Sequence, residues 1–408
     1  MFSGKTIKRT YKAQMKKLIS LGVLLCVLIL LQSCGYSPTW RTETVDGENS
    51  SVGKFTSIAL DSNNNPHISY YDEDNKIVKY TFKDPSGWQV ETIESGVSMY
   101  EHSSIIVDAN GNPHISYSTR EYYVIEYTEV NKSELKHAYK NSTGWHIETV
   151  ISDEYIGGYT DLNFPSLAFD KNHNPCITYF HYRCQWPCSR PGDSYLKYAY
   201  KDATGWHTET TDIEGYSGMG GLSDGRCASL GFDSNNNPHI GYMPYLYPPL
   251  EDAQYLKHAY KDSSGWHVET IDSGRTIGIS TSISIDSIDM PHLSYHASDQ
   301  YNEKNCLKYT YKDSSGWHIE TIDRSGDVGR YNAIALDSHD VPHISYYDSE
   351  NRYLKCAYKN SFGWYIQSVD NNEDVGLYTA IALDSKGNPH ISYYDATNKD
   401  LKYAYLGY

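Results

Sequence analysis

The sequence predicts an all-β fold, a seven-bladed β-propeller of four-stranded antiparallel blades, from three observations. The first is a pattern that runs S-I-A-L-D-S-x-x-N-P-H-I-S-Y-Y-D and then L-K-Y-A-Y-K-D-S-S-G-W-H-I-E-T-I, and that recurs along the chain. Its proline recurs at intervals of 47 to 63 residues, which suits a blade and exceeds the shorter helical repeats. The second is that each copy holds four strand-like runs. The third is that the seventh copy is divided between the two ends of the chain.

Two residues mark each copy. A proline begins the second strand, and it is followed by histidine in six copies and by Cys176 in the third; these prolines are Pro66, Pro113, Pro175, Pro238, Pro291, Pro342 and Pro389. A tryptophan begins the fourth strand at Trp40, Trp88, Trp145, Trp206, Trp266, Trp317 and Trp364. Because one binding site does not need seven copies of a residue, these positions are predicted to hold the scaffold together.

The first complete copy shows the predicted elements in order. Residues 56–61, 66–71, 77–83 and 88–93 alternate in polarity or are rich in β-branched and aromatic residues, as strands are. Turns over 61–66 and 84–87 separate the first strand from the second and the third from the fourth. Asparagine and glycine in these turns accept positive φ angles, and proline can begin the next strand without losing a needed N–H donor. No stretch has the period of a helix.

The two termini are predicted to share one blade. The chain ends with a third strand over 401–405 that has no fourth strand after it, and it begins with a fourth strand over 40–45 that has no third before it. Pairing them leaves no open sheet edge. The predicted domain therefore spans 39–408, with its last blade built from 39–45 and 379–408.

The first 33 residues resemble the signal peptide of bacterial lipoproteins. Six basic residues precede an apolar run over 18–31, which is too short to span a bilayer. The run ends in Leu31-Gln32-Ser33-Cys34, which is similar to a lipobox, although Gln32 is unusual at its position. The resemblance implies cleavage before Cys34, lipidation of its thiol and a tether over 34–38. It also implies a location in the cell envelope facing outside the cytoplasm, in the outer membrane if the cell is Gram-negative. An ordinary signal peptide or an uncleaved anchor is the alternative.

Charge excludes one class of partner. Residues 1–33 carry six of the 35 basic residues and none of the 51 acidic ones, so the remainder has a net charge of −22. Such a surface repels phosphate backbones, and no nucleic-acid partner is expected. A membrane contact is expected only through the lipid, and a monomer is expected.

Neither a metal nor a cofactor is predicted. The histidine series is interrupted by Cys176, and the D-x-N-x-N run at 61–65 lacks the glycine and distal glutamate of a calcium loop, although calcium occupancy stays open. The cysteine spacing does not resemble a zinc site. Cys184 and Cys188 are placed for a local disulfide in an oxidising compartment, with isolated buried thiols as the alternative. We also predict that Asp61 and His67 share a hydrogen bond across their turn.

Residues that do not recur are the candidates for a binding site. Insertions over 118–133, 181–194 and 243–254 are predicted as long loops on one face, here called the long-loop face, and a long glycine-rich connection spans 211–227. Aromatic residues and arginines on a rigid scaffold are typical of binding loops. The candidates in these segments are Tyr122, Tyr123, Arg183, Trp186, Arg190, Arg226, Tyr245 and Tyr247. Arginine pairs with carboxylate or sulfate and so favours an anionic ligand, although loops also collect charge without binding anything.

The mouth of the central channel gives further candidates. Six residues before the aspartate that ends each first strand lie Phe55, His102, Phe164, Cys227, Ser280, Tyr331 and Tyr378, and Arg330 precedes one of them. Arg330, Tyr331 and Tyr378 are therefore candidate ligand contacts. Aromatic packing between blades is an equally good interpretation of the ring.

The Lys-Asp-Ser-Ser-Gly-Trp turn, as at 312–317, resembles the Asp-box turn of sialidase-type propellers, with different spacing. The resemblance implies a propeller, and it leaves the catalytic residues of sialidases unassigned here. We predict a membrane-anchored extracytoplasmic module that binds a glycan or protein ligand on the long-loop face. The alternative is a sialidase-like glycoside hydrolase or lyase that uses the same face, and no catalytic residue is predicted.

Overall fold

The computed structural model describes residues 39–47, 50–185, 193–211, 228–244, 254–274, 277–298 and 304–407. Residues 41–405 form one compact unit, and the described residues 39–40 and 406–407, the ends of two strands, are assigned to a second. All regular structure among the described residues is β-strand, so no helix in them is long and apolar enough to cross a membrane.

The described residues form 28 strands in seven sheets of four. Blades 1 to 3 contain β2 (Val52–Leu60), β3 (Pro66–Asp72), β4 (Ile77–Asp84), β5 (Gly87–Ser95); β6 (Met99–Val107), β7 (Pro113–Ile125), β8 (Thr128–Asn141), β9 (Gly144–Ile156); and β10 (Gly158–Phe169), β11 (Pro175–Gln185), β12 (Asp193–Asp202), β13 (Gly205–Thr210). Blades 4 and 5 contain β14 (Ala228–Phe232), β15 (Pro238–Tyr242), β16 (Gln254–Asp262), β17 (Gly265–Gly274); and β18 (Ile277–Ile285), β19 (Pro291–Ser298), β20 (Asn305–Asp313), β21 (Gly316–Asp323). Blades 6 and 7 contain β22 (Val328–Leu336), β23 (Pro342–Asp348), β24 (Tyr353–Asn360), β25 (Gly363–Asp370); and β26 (Val375–Leu383), β27 (Pro389–Asp395), β28 (Asp400–Gly407), β1 (Thr39–Asp46).

The topology confirms the seven-bladed propeller. In six sheets the strands follow one another in chain order, and in the seventh the order is β1-β28-β27-β26. The strand at the start of the chain thus completes the blade at its end, as predicted. All of the paired strands are antiparallel, as in β2 with β3 and β3 with β4.

The short turns form because an aspartate holds their backbone. Asp61 Oδ1 accepts the N–H groups of Asn63 and Asn65, both at 2.8 Å, and Asn64 takes a positive φ of 65°. The same Asx turn recurs after the first strands of later blades, for example at Asp108 and Asp384. The local sequence therefore determines where the first strand ends and the second begins.

The core lies between neighbouring blades. Val52, Ile58 and Ile68 of blade 1 pack with Leu401 and Tyr403 of blade 7, and all five side chains are buried. Full burial of such an apolar side chain contributes about 1.5–3 kcal/mol. The contact between the first and last blades is therefore built like the other contacts between blades.

A polar clamp also joins each of blades 1 to 6 to the blade before it. Glu43 of β1 accepts hydrogen bonds from Lys83 Nζ at 2.6 Å and from Trp88 Nε1 at 2.9 Å, both in blade 1. The same clamp joins Glu91 with Lys140 and Trp145, Glu148 with Lys201 and Trp206, Glu209 with Lys261 and Trp266, Glu269 with Lys312 and Trp317, and Glu320 with Lys359 and Trp364. This contact explains why the repeat tryptophan recurs.

Two local predictions differ from the structure. The segment 118–133 was expected to be a loop, but β7 and β8 extend through it and meet at Glu126 and Tyr127, which both take positive φ angles. His67 Nε2 lies 3.8 Å from Asp61 Oδ2, too far for the predicted hydrogen bond, and His67 Nδ1 instead lies 2.5 Å from the Tyr80 hydroxyl. The Asp61 oxygens are already used by its own turn.

Candidate functional site

The recurring histidines belong to the scaffold. Burial lowers the pKa of His67, His239 and His390, so these rings stay neutral near pH 7. Within the described parts of the chain, no group of three or more histidine, cysteine, aspartate or glutamate side chains is arranged to hold a metal ion. The Cys184 sulfur is disulfide-bonded, while Cys188 lies outside the described residues. Cys356 is a buried thiol within β24.

The predicted channel-mouth residues share an unusual backbone conformation. Each described member has a φ between 52° and 67°: Phe55, His102, Phe164, Ser280, Tyr331 and Tyr378. A left-handed conformation costs a non-glycine residue roughly 1–2 kcal/mol. It arises because the first strand of each of these six blades shifts register at this point, as between Lys54 and Ser57. Cys227, the seventh member, lies outside the described residues.

Five of these residues form an arc of rings through five successive blades. Ring centroids are separated by 4.8 Å from Tyr331 to Tyr378, 4.9 Å from Tyr378 to Phe55, 6.2 Å from Phe55 to His102 and 5.3 Å from His102 to Phe164. The arc lies beside a cavity of about 150 Å³ on the channel axis. That volume suits a group the size of benzene. The geometry therefore agrees with packing between blades, and a larger ligand would have to rest on the mouth.

The channel wall is also part of the scaffold. Ser57, Ser104 and Ser166 each accept the backbone N–H of a residue in the next blade, at 3.3, 3.0 and 3.1 Å. Ser229 and Ser282 do the same at 3.1 and 3.2 Å. The serines thus connect neighbouring blades around the channel.

Outside the channel, the long-loop face of blades 2 and 3 carries a buried ion pair that is not repeated elsewhere among the described residues. The Arg120 guanidinium contacts the Asp161 carboxylate, and their side chains are 8% and 4% exposed. The guanidinium carbon also lies 4.8 Å from the centre of the Tyr159 ring. Burial raises the pKa of the Asp161 carboxyl, so its ionised form depends on Arg120. Asp161 Oδ1 and Asn163 Oδ1 are buried without a hydrogen-bond partner in the described structure.

A second ion pair lies on the same face. Arg183 Nε donates to Asp153 Oδ2 at 2.7 Å, and its Nη2 contacts the other carboxylate oxygen of Asp153. His181 Nε2 is 2.8 Å from Asp153, and the Thr160 hydroxyl also contacts this carboxylate. Although burial opposes ionisation, these donors hold the pKa of Asp153 at about 2. Arg183 is therefore fixed by Asp153 and its charge is balanced.

A cavity of about 540 Å³ lies next to the first pair. Its wall consists of Lys76, Gly96, Ser98, Met99, Arg120, Glu121, Tyr122 and Tyr123. Tyr122 is 66% exposed, and its hydroxyl lies 3.4 Å from Arg120 Nη1. A hydrogen bond with Glu154 raises the pKa of Tyr123. The cavity offers an open aromatic ring beside hydroxyl, ammonium and carboxylate groups, a combination that suits a polar ligand with a flat apolar side.

The predicted site residues fall into separate places. Tyr122 and Tyr123 line the 540 Å³ cavity, whereas Tyr331 and Tyr378 line the channel cavity. Arg330 lies beside the channel residue Tyr331, with its Nη2 at 3.7 Å from Asp327 Oδ2. Trp186, Arg190, Arg226, Tyr245 and Tyr247 lie outside the described residues, as does Cys34. Their predicted roles stay predictions.

The acidic partners of the arginines were missed from the sequence. A signal for Asp161 exists, because the first strands of blades 1, 2, 5, 6 and 7 carry an apolar residue in its place, namely Val52, Met99, Ile277, Val328 and Val375, while blade 4 has Asp224, which lies outside the described residues. An acid in a buried apolar position needs a cation nearby. For Asp153 the sequence has no such signal, since its strand extends beyond the repeat.

Comparison with known proteins identifies similar folds and no family. No family model matches the chain, and no curated protein matches it. Among solved structures, a PL25 ulvan lyase has a TM-score of 0.57 at 10% identity, over 90% of this chain and 96% of that one. An α-L-arabinanase of Penicillium chrysogenum has a TM-score of 0.51 at 8% identity, over 91% of this chain and 98% of that one. A Trypanosoma rangeli sialidase has a TM-score of 0.50 at 11% identity, over 91% of this chain and 59% of that one. The chain shares their propeller fold.

Proposed function

We propose that the protein is a membrane-anchored extracytoplasmic module that binds a glycan or protein ligand on its long-loop face. The observation that carries the proposal is the 540 Å³ cavity, where the exposed Tyr122 ring adjoins groups that do not recur in other blades. Tyrosine rings pack against the CH faces of sugars, and neighbouring charged and hydroxyl groups can bond to sugar hydroxyls. The propellers named above are a lyase, an arabinanase and a sialidase, which favours a glycan.

The paired arginines bear on the kind of ligand. Arg120 and Arg183 each contact an aspartate, so neither brings an unbalanced positive charge to the face. An anionic ligand would have to compete with Asp161 or Asp153 for these groups. The arginines therefore support a role in fixing the site more than a role in capturing an anion.

We further propose that Cys34 is lipidated after cleavage of 1–33 and that the module lies in the cell envelope, in the outer membrane if the cell is Gram-negative. The support is the lipobox-like run 31–34 behind a basic and then apolar segment. Metabolic labelling with a fatty-acid analogue should mark the wild-type protein and leave Cys34→Ser unmarked. Equal labelling of both would contradict the anchor.

A binding and turnover assay tests the function. Purified protein is applied to an array of arabino-oligosaccharides, ulvan fragments and sialylated oligosaccharides, and the same sugars are then analysed for chain cleavage. We expect retention without cleavage, and about tenfold weaker binding by Tyr122→Ala. Phe362→Ala is the matched control, because Phe362 is a 98% exposed aromatic in a short turn between β24 and β25.

Three results would change the proposal. Cleavage of any sugar favours the hydrolase or lyase alternative. Retention that is lost equally in Tyr122→Ala and Phe362→Ala contradicts the proposed face. If no sugar is retained, the glycan is ruled out as the ligand and a protein ligand remains. This assay does not identify the face that a protein ligand would use.

A further inference from the structure

Three blades contain the same stack of three rings. In blade 2, His114 of the second strand stacks on Tyr139 at 5.7 Å, and Tyr139 stacks on His146 of the fourth strand at 5.1 Å. In blade 4 the ring centroids of His239, Tyr260 and His267 are 5.8 and 4.8 Å apart in the same order. In blade 5 those of His292, Tyr311 and His318 are 5.9 and 4.9 Å apart. The tyrosine thus lies between two imidazole rings carried by the strands on either side of it.

Blade 3 lacks one ring of this stack. Tyr200 stacks on His207 at 5.1 Å, but its partner on the second strand is Cys176, where the six other copies have histidine. A cavity of about 300 Å³ lies at this place, and its wall includes Asp170, Cys176, Tyr198, Tyr200 and Phe232. It lies at the short turns, away from the long-loop face, so it does not depend on the function proposed above.

The groups that hold the histidine elsewhere are still present in blade 3. Tyr198 corresponds to Tyr80, whose hydroxyl lies 2.5 Å from His67 Nδ1. Asp170 corresponds to Asp286, whose carboxylate lies 3.1 Å from His292 Nε2, whereas the corresponding carboxylate lies 3.7–3.9 Å from the ring nitrogen in blades 1, 4 and 7. Tyr198 and Asp170 thus place a hydroxyl and a carboxylate beside the two ring nitrogens.

The apolar contacts are present as well. Phe232 of blade 4 corresponds to Phe169, which meets the His114 ring edge-on with centroids 4.9 Å apart. Burial raises the pKa of the Cys176 thiol to about 11, so the thiol stays protonated and acts as a small apolar wall. Burial also lowers the pKa of the corresponding histidines, which shows that this environment prefers an uncharged ring.

We propose that the cavity beside Cys176 is a binding site for a planar, uncharged nitrogen heterocycle of the imidazole class. The ring would stack on Tyr200, meet Phe232 edge-on and bond through its nitrogens to Asp170 and Tyr198. Both a free small molecule and the histidine side chain of another chain have this chemistry.

Imidazole itself is the probe. It is titrated at pH 8, where the ring is uncharged, into the full-length protein, and binding is followed by saturation-transfer NMR and by the midpoint of thermal unfolding. A ligand of five heavy atoms should bind wild type with a Kd on the order of millimolar and raise the midpoint. Cys176→His, which restores the residue of the other blades, should weaken binding at least tenfold because its own ring fills the cavity. 1-Methylimidazole, which lacks the N–H donor for Asp170, should bind several-fold more weakly than imidazole.

Controls make the result specific. Cys356→Ala removes a buried thiol in blade 6 and should bind imidazole like wild type. Cys176→Met fills the cavity with a flexible side chain and should also lose binding, which covers the case in which Cys176→His folds poorly. The peptide Gly-His-Gly distinguishes the two sources: binding of the peptide supports a partner's side chain, and binding of imidazole alone supports a small molecule. Equal binding by wild type and Cys176→Met, or no binding by wild type up to roughly 100 mM, overturns the proposal.

Discussion

The buried pair between Arg120 and Asp161 provides the sharpest test of how the candidate site is built. The two side chains come from blades 2 and 3 and are almost wholly buried, and the place of Asp161 is apolar in blades 1, 2, 5, 6 and 7. Arg120→Met removes the cation and leaves the Asp161 carboxylate buried. Asp161→Val introduces the residue that blades 1, 6 and 7 have at this position. The double variant replaces the charged pair with an apolar one.

The expected magnitudes follow from the cost of an unpaired buried charge. Removing one partner of a buried pair costs about 3–5 kcal/mol, whereas replacing both with apolar groups is often neutral or stabilising by about 1–4 kcal/mol. We therefore expect Arg120→Met to lose about 4 kcal/mol in the free energy of unfolding. Since a domain of this size changes by about 1.3 °C for each kcal/mol, its Tm should fall by about 5 °C. The double variant should return to the wild-type value or exceed it.

Urea unfolding followed by circular dichroism, with differential scanning calorimetry beside it, measures all four proteins of the cycle. The coupling energy between the two positions should be at least 2–3 kcal/mol, since these residues are in contact. Single changes that cost less than about 1 kcal/mol, or that add in the double variant, would refute the reasoning.

Three other predictions rest on the scaffold. Trp364→Phe removes the 2.8 Å hydrogen bond to Glu320 and should lower the free energy of unfolding by about 1 kcal/mol in urea, and an unchanged midpoint would contradict the clamp. Ile151→Asp should stabilise by about 1 kcal/mol, because the Tyr179 hydroxyl is buried without a partner while the corresponding Tyr70 donates to Asp46 at 2.6 Å; a loss of stability would contradict this. His137 and Lys201 hold the pKa of Glu148 at about 2, below its value of about 4.5 in the unfolded chain, so its contribution is present above pH 4.5 and is lost as the pH falls toward 2. Wild type should therefore lose more stability than Glu148→Gln over that range, and parallel losses in both would contradict the assignment.

The propeller could be predicted from the sequence because its strands and turns are determined by short-range residue patterns. Strand alternation, the Asx turn at Asp61 and the division of the last blade between the two termini are all local or additive features, and the structure confirms them. Even the clamp residues Glu43, Lys83 and Trp88 recur visibly. Because the pattern recurs, each copy supports the strand and turn assignments made for the others.

Contacts between blades could not be predicted in the same way. The pairing of Arg120 with Asp161 joins residues 41 positions apart, and the bonding of His67 to Tyr80 in place of Asp61 depends on distances across the sheet. The hairpin of β7 and β8 was interpreted as a loop because its sequence departs from the repeat, although its alternation continues. Departure from a repeat identifies where function can reside, and it does not state the local structure.

The central claim is that recurring residues hold the fold and non-recurring residues of the long-loop face bind the ligand. The most direct measurement is Kd and Tm, determined side by side for Tyr122→Ala and Trp364→Phe on a retained oligosaccharide. The account predicts about tenfold weaker binding with an unchanged Tm for Tyr122→Ala, and unchanged binding with a lowered Tm for Trp364→Phe. Wild-type affinity in Tyr122→Ala together with lost affinity in Trp364→Phe would contradict it.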